Sequence, residues 1–434
     1  MAEIDVLLIN VPSSKANRIL AAEVASMPPL GLLYIASELQ ASGYAVKVLD
    51  LAVELLVKDE IINYLVDSNP KVIGISSFYE SWSAMKSLCF VIRRVLPDAK
   101  IVIGGNCATF SYEQILKEIK ADFVILGEGE YATTNLCDAL FHQNKKIDHI
   151  SGLAYIDKDG MVVRNEPERI MDLDKLKFPD RSLIKLDRYV YPFSISTARG
   201  CVGQCIFCSS KAFWKKKVIF RSVENVVDEI MEIKSVFNAN EFFIIDDTFT
   251  MIPDRAKEFC RLLKSKNEKF TWFCESRADV ASEELLKMLY EAGCRKIQFG
   301  MESGNDEILK KIGKNIATAQ IENAVKLASK IGFSINVSFI IGHAFDTLET
   351  IKQSFELAKK MKVEYGANVL CSINTPYPGT EIYEKRELYG IKLLTENWDN
   401  YTMNNPVIDT RYMEGEELRS LFYSYYNELV DMKR

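Results

Sequence analysis

The chain has 434 residues, too many for one small hydrophobic core, and this length suggests two or three domains. With 48% hydrophobic and 26% charged residues, it has the balance of a folded globular protein rather than a disordered one. A formal net charge of -6 argues against a general nucleic-acid binder, so no DNA or RNA partner is expected.

The N-terminus, "MAEIDVLLINVP", carries Glu3 and Asp5 around an apolar run only a strand long. It is neither a secretory signal nor a membrane span, and no stretch reaches the ~18 apolar residues a span needs. Ten cysteines in such a chain point to free thiols or a metal site in a reducing cytoplasm, not to a disulfide framework.

Short Val- and Ile-rich runs at 4–10, 45–50, 71–77, 99–105 and 123–129 predict buried parallel strands. Helical patterns near 31–42, 52–67, 80–95, 111–119 and 131–142 alternate with them. That alternation predicts a doubly wound α/β domain over 1–143. Ligands bind such sheets beyond the carboxyl ends of the strands. Those ends offer Asn10, Ser76, Ser77, Gly104, Gly105, Gly127, Glu128 and Gly129, whose small side chains would let a large ligand lie on backbone.

Residues 144–190 change character. "NKKIDHISGLAYIDKDGMVVRNEPER" predicts a small hairpin turning at Lys158-Asp159-Gly160, followed by a connecting segment, and the whole is expected to be a linker. Strand–helix alternation then resumes over 191–385. Strands are predicted at 193–198, 241–246, 270–275, 296–301, 333–340 and 366–373. Helices are predicted at 222–236, 253–267, 282–292, 304–311, 317–331 and 347–361. Repeated βα units of this kind imply a partial (β/α)6 barrel with its site at the strands' carboxyl ends. Residues 386–434 end in an aromatic-rich helix near 412–432, expected to pack as a tail or lid. The basic stretch Lys211 to Lys217 is read as a solvated loop.

"ISTARGCVGQCIFCSS" clusters Cys201, Cys205 and Cys208 in a C-x3-C-x2-C spacing just after the first barrel strand. Clustered thiolates chelate soft metals. A structural zinc site closes with four protein ligands, and His142, His149 and His343 are all distant in sequence. Three ligands suit a four-iron cluster with one iron left open; a zinc loop, in a non-enzymatic carrier, is the alternative. Downstream strand ends supply Asp246 with Asp247, Glu275 with Arg277, Glu302 with Ser303, and Ser338. Carboxylates suit ribose hydroxyls, an ammonium or a sulfonium, and an arginine can clamp a carboxylate.

The cysteine loop with Phe207, followed by these strand ends and "TPYPGTEIY", resembles the radical S-adenosylmethionine (SAM) superfamily over about 190 residues. "MPPLGLLYIASELQASGYAVKVLD", "VIGISS", "IVIGGNCAT" and "VILGEGE" resemble the cobalamin-binding domain that precedes many of its members. The nearest family is that of the B12-binding-domain radical SAM enzymes, which includes cobalamin-dependent methyltransferases and the anaerobic magnesium-protoporphyrin ester cyclase group. The resemblance implies a [4Fe-4S] cluster on the three cysteines. SAM would sit on its open iron near Asp246, Glu275, Arg277, Glu302, Ser303 and Ser338. Cobalamin would lie at the strand ends of the first domain. It further implies a 5'-deoxyadenosyl radical, methylation of an unactivated carbon, a small-molecule or peptide substrate, and an electron donor such as flavodoxin or ferredoxin. A radical cyclisation, oxidation or rearrangement without methyl transfer is the alternative reading.

"INVPSSKANRIL" has no histidine where many B12 folds hold cobalt, a lack that the fused radical SAM relatives commonly share. One departure from the family stands out. His343-Ala344 replaces the usual Leu-Pro and leaves His343 near the predicted site; it is read as a surface-loop histidine, with a substrate contact as the alternative.

Overall fold

The computed structural model describes residues 4–12, 26–142 and 146–432. The chain divides into two compact units, Met1–Pro192 and Phe193–Arg434. No helix among the described residues is long and apolar enough to cross a membrane.

In the first unit, β1 (Val6–Asn10), β2 (Val46–Asp50), β3 (Val72–Ser76), β4 (Lys100–Gly104) and β5 (Phe123–Ile125) pair in parallel. Helices α1 (Leu30–Ala41), α2 (Leu51–Glu54), α3 (Lys58–Ser68), α4 (Trp82–Val95), α5 (Asn106–Gln114) and α6 (Glu130–Phe141) connect them. The strand order is β2-β1-β3-β4-β5, so the winding reverses between β1 and β3. Strands apolar on both faces bury between two helical layers, and the reversal opens a crevice beyond their carboxyl ends.

The segment expected to be a linker belongs to this sheet. Its hairpin, β6 (Leu153–Ile156) and β7 (Val162–Arg164), adds two antiparallel strands to the β5 edge. Gly152 permits the close approach: at φ +73°, a Cβ there would lie 2.6 Å from the Leu126 carbonyl oxygen.

The second unit carries a six-stranded parallel sheet in spatial order β8-β11-β12-β13-β14-β15. Its strands are β8 (Ser194–Ile195), β11 (Glu241–Ile244), β12 (Thr271–Ser276), β13 (Cys294–Glu302), β14 (Ser334–Ile341) and β15 (Asn368–Ile373). Between β8 and β11 lie the short pair β9 (Ala198–Arg199) and β10 (Ile219–Phe220), α7 (Ser210–Phe213) and α8 (Val223–Phe237). The crossover helices are α9 (Pro253–Ser265), α10 (Glu283–Glu291), α11 (Asp306–Lys311), α12 (Thr318–Ile331) and α13 (Leu348–Tyr365). Strand residues of one parity, such as Phe242, Ile244, Trp272, Phe299, Val337 and Phe339, bury against these helices. The other parity lines the concave face of the arc.

Beyond β15 come α14 (Glu381–Glu384), the pair β16 (Lys392–Leu393) and β17 (Ile408–Asp409), and α15 (Gly415–Asp431). Leu418, Phe422 and Leu429 of α15 join the unit's core, and Tyr425 stacks on Phe355 at 3.9 Å. The aromatic tail is therefore a packed part of the layer.

Candidate functional site

The cysteines sit on an excursion from residue 200 to 218 whose base is closed by β9 pairing with β10. Gly200, at φ +112°, is required there, since a Cβ would come 2.4 Å from the Lys217 carbonyl oxygen. Three groups pin the base. Asp246 accepts from the backbone of Thr197 at 2.6 Å and Ala198 at 3.1 Å, and from the Thr197 hydroxyl. Arg255 donates to the Thr197 and Arg221 carbonyls. Arg221 reaches the Ser196 carbonyl and forms a buried ion pair with Glu229. Further along, the Ile206 N–H donates to the Ile312 carbonyl and the Ile206 carbonyl accepts from the Ile382 N–H, each at 3.0 Å, and Lys211 pairs with Glu381 at 3.0 Å.

On this clamped loop Cys201 and Cys205 are half-buried and Cys208 is exposed. The Gly203 N–H donates to Cys201 Sγ at 3.3 Å. A Cβ on Gly203 would lie 3.3 Å from Cys201 Sγ, 3.8 Å from Cys205 Sγ and 4.0 Å from an Arg277 nitrogen, so the glycine leaves a cradle between thiols and guanidinium. Among the described residues no three His, Cys, Asp or Glu side chains converge on a single ion. A cubane takes each thiolate on a different iron and needs no such convergence. The loop fits a cluster.

Glu275, Arg277 and Glu302 gather beside it. Arg277 binds Asp279 with two nitrogens, at 3.0 and 2.9 Å, and donates to the Lys314 carbonyl at 3.2 Å. Lys314 follows Gly313 in a turn rather than a strand end, and strand-end reasoning missed it. Its ammonium pairs with Glu302 at 3.1 Å, both side chains buried. Lys314, Glu302 and Arg277 all act electrostatically on Cys205, whose thiol burial pushes up and Lys314 draws back down. Glu302 is the one acid here in the left-handed region, at φ +62°, where the β13–β14 register slips between Gly300 and Glu302. Such a conformation costs about 1–2 kcal/mol for a non-glycine residue. Ser338 stands opposite Gly300 in that register, half-buried on the concave face.

Two of the expected SAM contacts have other partners. Asp246 is fully occupied at the base of the loop, and burial pushes its carboxyl up to about 6. Its neighbour Asp247 bonds Ser210 and lies in the field of Cys208 and Glu275. Strand parity carries the signal: Asp246 continues the helix-facing set of Phe242 and Ile244, Asp247 the concave set. Ser303 is buried in a turn, sharing hydrogen bonds with Ser354 and the Asn305 N–H. His343 is no surface residue: it is 0% exposed.

Glu275 is pushed up to about 7 by burial first, then by the Asp247 and Glu302 carboxylates, with Lys314 opposing. A carboxyl whose folded pKa exceeds its unfolded value costs nothing below the unfolded pKa and its full penalty above the folded one. Stability of the ligand-free chain should therefore fall between about pH 4.5 and 7, with Glu275 contributing about 3 kcal/mol. Glu275→Gln should gain on the wild type as pH rises, read as urea midpoints at pH 5 and 8. A constant difference between the two proteins would contradict this.

In the first unit the strand ends at the crevice are tied together. The Ser77 hydroxyl donates to the Gly104 carbonyl at 3.0 Å. Thr109 donates to the Gly105 carbonyl and accepts from the Gly127 N–H, both at 2.9 Å. Gly105 sits at φ +105°, where a Cβ would lie 2.9 Å from the Ser77 carbonyl oxygen. Ser76, Gly104 and Gly105 are half-buried and present no bulky side chain, a floor that fits a large flat ligand. Asn10 is held by Asp50 at 2.8 Å, which also accepts from Tyr189.

Glu128 and Gly129 are engaged elsewhere. Glu128 pairs with Arg169 at 2.7 Å, nearly dry, and accepts from the Ile170 N–H. A Cβ on Gly129 would lie 2.8 Å from Ile35, so that glycine serves the contact between α6 and α1. The segment after β1, read for its missing histidine, lies outside the described residues from 13 to 25.

Comparison with known proteins agrees with this division. The Radical SAM superfamily matches residues 195–358, and the B12 binding domain matches residues 18–137. An uncharacterized methyltransferase, PH0819, of Pyrococcus horikoshii is 32% identical over 441 residues, 98% of this chain and 93% of that protein. The anaerobic magnesium-protoporphyrin IX monomethyl ester cyclase of Rubrivivax gelatinosus is 28% identical over 93% of this chain and 74% of its own length. Among solved structures, the radical SAM methyltransferase TsrM of Kitasatospora setae, with cobalamin and a [4Fe-4S] cluster bound, shares the fold. Its TM-score is 0.73 at 19% identity, covering 91% of this chain and 81% of that one. A radical SAM domain works with a [4Fe-4S] cluster and SAM, and a B12 binding domain with cobalamin, so these are the chain's cofactors. The chain belongs to the radical SAM enzymes that carry a B12-binding domain.

Proposed function

We propose that this enzyme methylates an unactivated carbon, with Cys201, Cys205 and Cys208 as the three protein ligands of the cluster. The observation that carries the reading is the clamped three-thiol loop with its glycine cradle, set beside a buried group of carboxylates and cations. When bound, the cluster and SAM supply a 5'-deoxyadenosyl radical and cobalamin supplies a transferable methyl group.

The chain's own residues do the rest. The Gly203 N–H donates to Cys201 Sγ, and the charges of Lys314 and Arg277 oppose the burial that pushes the Cys205 thiol up. Lys314 and Arg277 answer the carboxylate of SAM, and Glu275, Glu302 and Asp247 answer its ammonium and ribose hydroxyls. Ser338 and the concave face receive the remainder. Ser76, Ser77, Gly104, Gly105 and Gly127 form the backbone floor under cobalamin, with Asn10 at its edge. No histidine of the segment after β1 reaches the cobalt, because that segment contains none. The relative named as a methyltransferase supports the reading, and TsrM, a methyltransferase that shares the fold, binds cobalamin and a [4Fe-4S] cluster in one protein.

The similarity to an ester cyclase favours a second reading, radical chemistry without methyl transfer. One measurement separates the two. The reduced holoenzyme is turned over against a panel of peptides, lipids, porphyrins and antibiotic precursors, and both SAM products are quantified. Methylation consumes a second SAM, so S-adenosylhomocysteine should accumulate in about equal amount with 5'-deoxyadenosine. Substrate-dependent deoxyadenosine without S-adenosylhomocysteine would overturn methylation in favour of the second reading.

A further inference from the structure

His343 follows β14 through Gly342, and its turn is locked. The His343 N–H donates to Asp346 Oδ2 at 2.9 Å, and the His343 carbonyl accepts from the Asp346 N–H at 2.9 Å. Leu418 of α15 lies over Gly342, where a Cβ would be 2.4 Å from it. The ring is 0% exposed and reaches two parts of the candidate site at once. Its Nε2 stands 3.3 Å from the Glu302 carbonyl oxygen, and its centroid is 5.4 Å from that of Phe207 between Cys205 and Cys208.

A carbonyl can only accept, so Nε2 carries the proton. Nδ1 is then a bare acceptor, and it is buried without a hydrogen-bond partner among the described residues. An unmet buried acceptor is destabilising. A leucine would fill the same space without that cost, so packing alone does not account for histidine here. What histidine adds is one N–H, aimed at the backbone of the left-handed Glu302.

We propose that His343 is a positioning residue that couples the cysteine loop to the strand end bearing Glu302. Lys314 holds the Glu302 side chain and His343 holds its carbonyl, so the strained residue is fixed from both sides. Phe207, resting on the ring, ties the loop to the same point. The inference rests on the proposed role of Glu302 in holding SAM, and it assigns the hydrogen bond, not the ring's bulk, to that role.

The test uses the full chain, reconstituted anaerobically, as wild type, His343→Leu and His343→Gln. Glutamine keeps an N–H donor, and leucine keeps only volume. Iron and sulfide content, SAM affinity by equilibrium dialysis, and the electron paramagnetic resonance spectrum of the reduced cluster with and without SAM are measured. His343→Leu should weaken SAM binding about tenfold and blunt the SAM-induced spectral change, the effect expected from losing one hydrogen bond. His343→Gln should stay within about threefold of wild type. The proposal is overturned if the two variants behave alike, whether both bind SAM normally, both bind it weakly or both fail to load the cluster. It is equally overturned if leucine outperforms glutamine. A wild type that loads no cluster or binds no SAM would instead sink the proposed function, before any variant is compared.

Discussion

Replacing Cys201, Cys205 and Cys208 together by alanine is expected to yield a folded chain that binds no iron and forms no 5'-deoxyadenosine above background. The fold should survive because the loop is not held by its thiols. Its base is closed by β9 and β10 and pinned by Asp246, Arg255 and Arg221, and its middle is bonded to Ile312 and Ile382. The three side chains are half-buried or exposed, so truncating each removes little packing, and the melting temperature should shift by only a few degrees. The chemistry should vanish because three thiolates hold three of the four irons and leave the fourth free for SAM. Each single alanine variant should therefore lose activity almost as completely as the triple one, a non-additivity expected of residues acting as a unit. Iron and sulfide analysis, with the charge-transfer absorption of the reconstituted protein, reads the outcome. An unchanged spectrum in the triple variant would place the ligands elsewhere, and one zinc with no iron in the wild type would turn the loop into a structural site.

Much of this site was legible because strand residues alternate and clustered thiols advertise a metal. The parallel strands of both units announce themselves as short apolar runs, and the structure places a strand at each predicted position. Legibility fails where a side chain's partner is remote in sequence. Glu128 reads as a strand-end acid, yet its charge is answered by Arg169, 41 positions later. The hairpin turn at 158–160 is locally encoded, but nothing local says that its first strand will pair with β5. Asp246 and Asp247 differ by one position and therefore by one face, and counting parity from Phe242 assigns them correctly. His343 looks like a loop residue because it follows a strand-ending glycine. Only tertiary packing, with Leu418 over the neighbouring Gly342 and Phe207 against the ring, makes it a core residue.

Lys314→Met is expected to damage stability and SAM binding together, and a second substitution should separate them. In the wild type the Lys314 ammonium lies 3.1 Å from Glu302, and both side chains are almost dry. Burial pulls the lysine's pKa down, but Glu302 and Cys205 outweigh that pull and leave it raised, so the cation is favoured. Removing it strands a buried carboxylate that also feels Glu275, a situation that costs about 3–5 kcal/mol in other buried pairs. Lys314→Met should thus unfold at lower urea concentration by an amount of that order. It should also bind SAM at least about thirtyfold more weakly, the smaller end of what a truncated charge partner costs in a binding site. Adding Glu302→Gln neutralises the stranded acid, and the double variant should recover most of the lost stability, because an uncharged amide no longer demands a counter-ion. It should not recover SAM affinity, because it lacks both the ammonium and the carboxylate proposed to answer SAM. Recovery of both would mean that Lys314 and Glu302 only neutralise each other, and SAM would then have to be held by Arg277, Glu275 and Asp247.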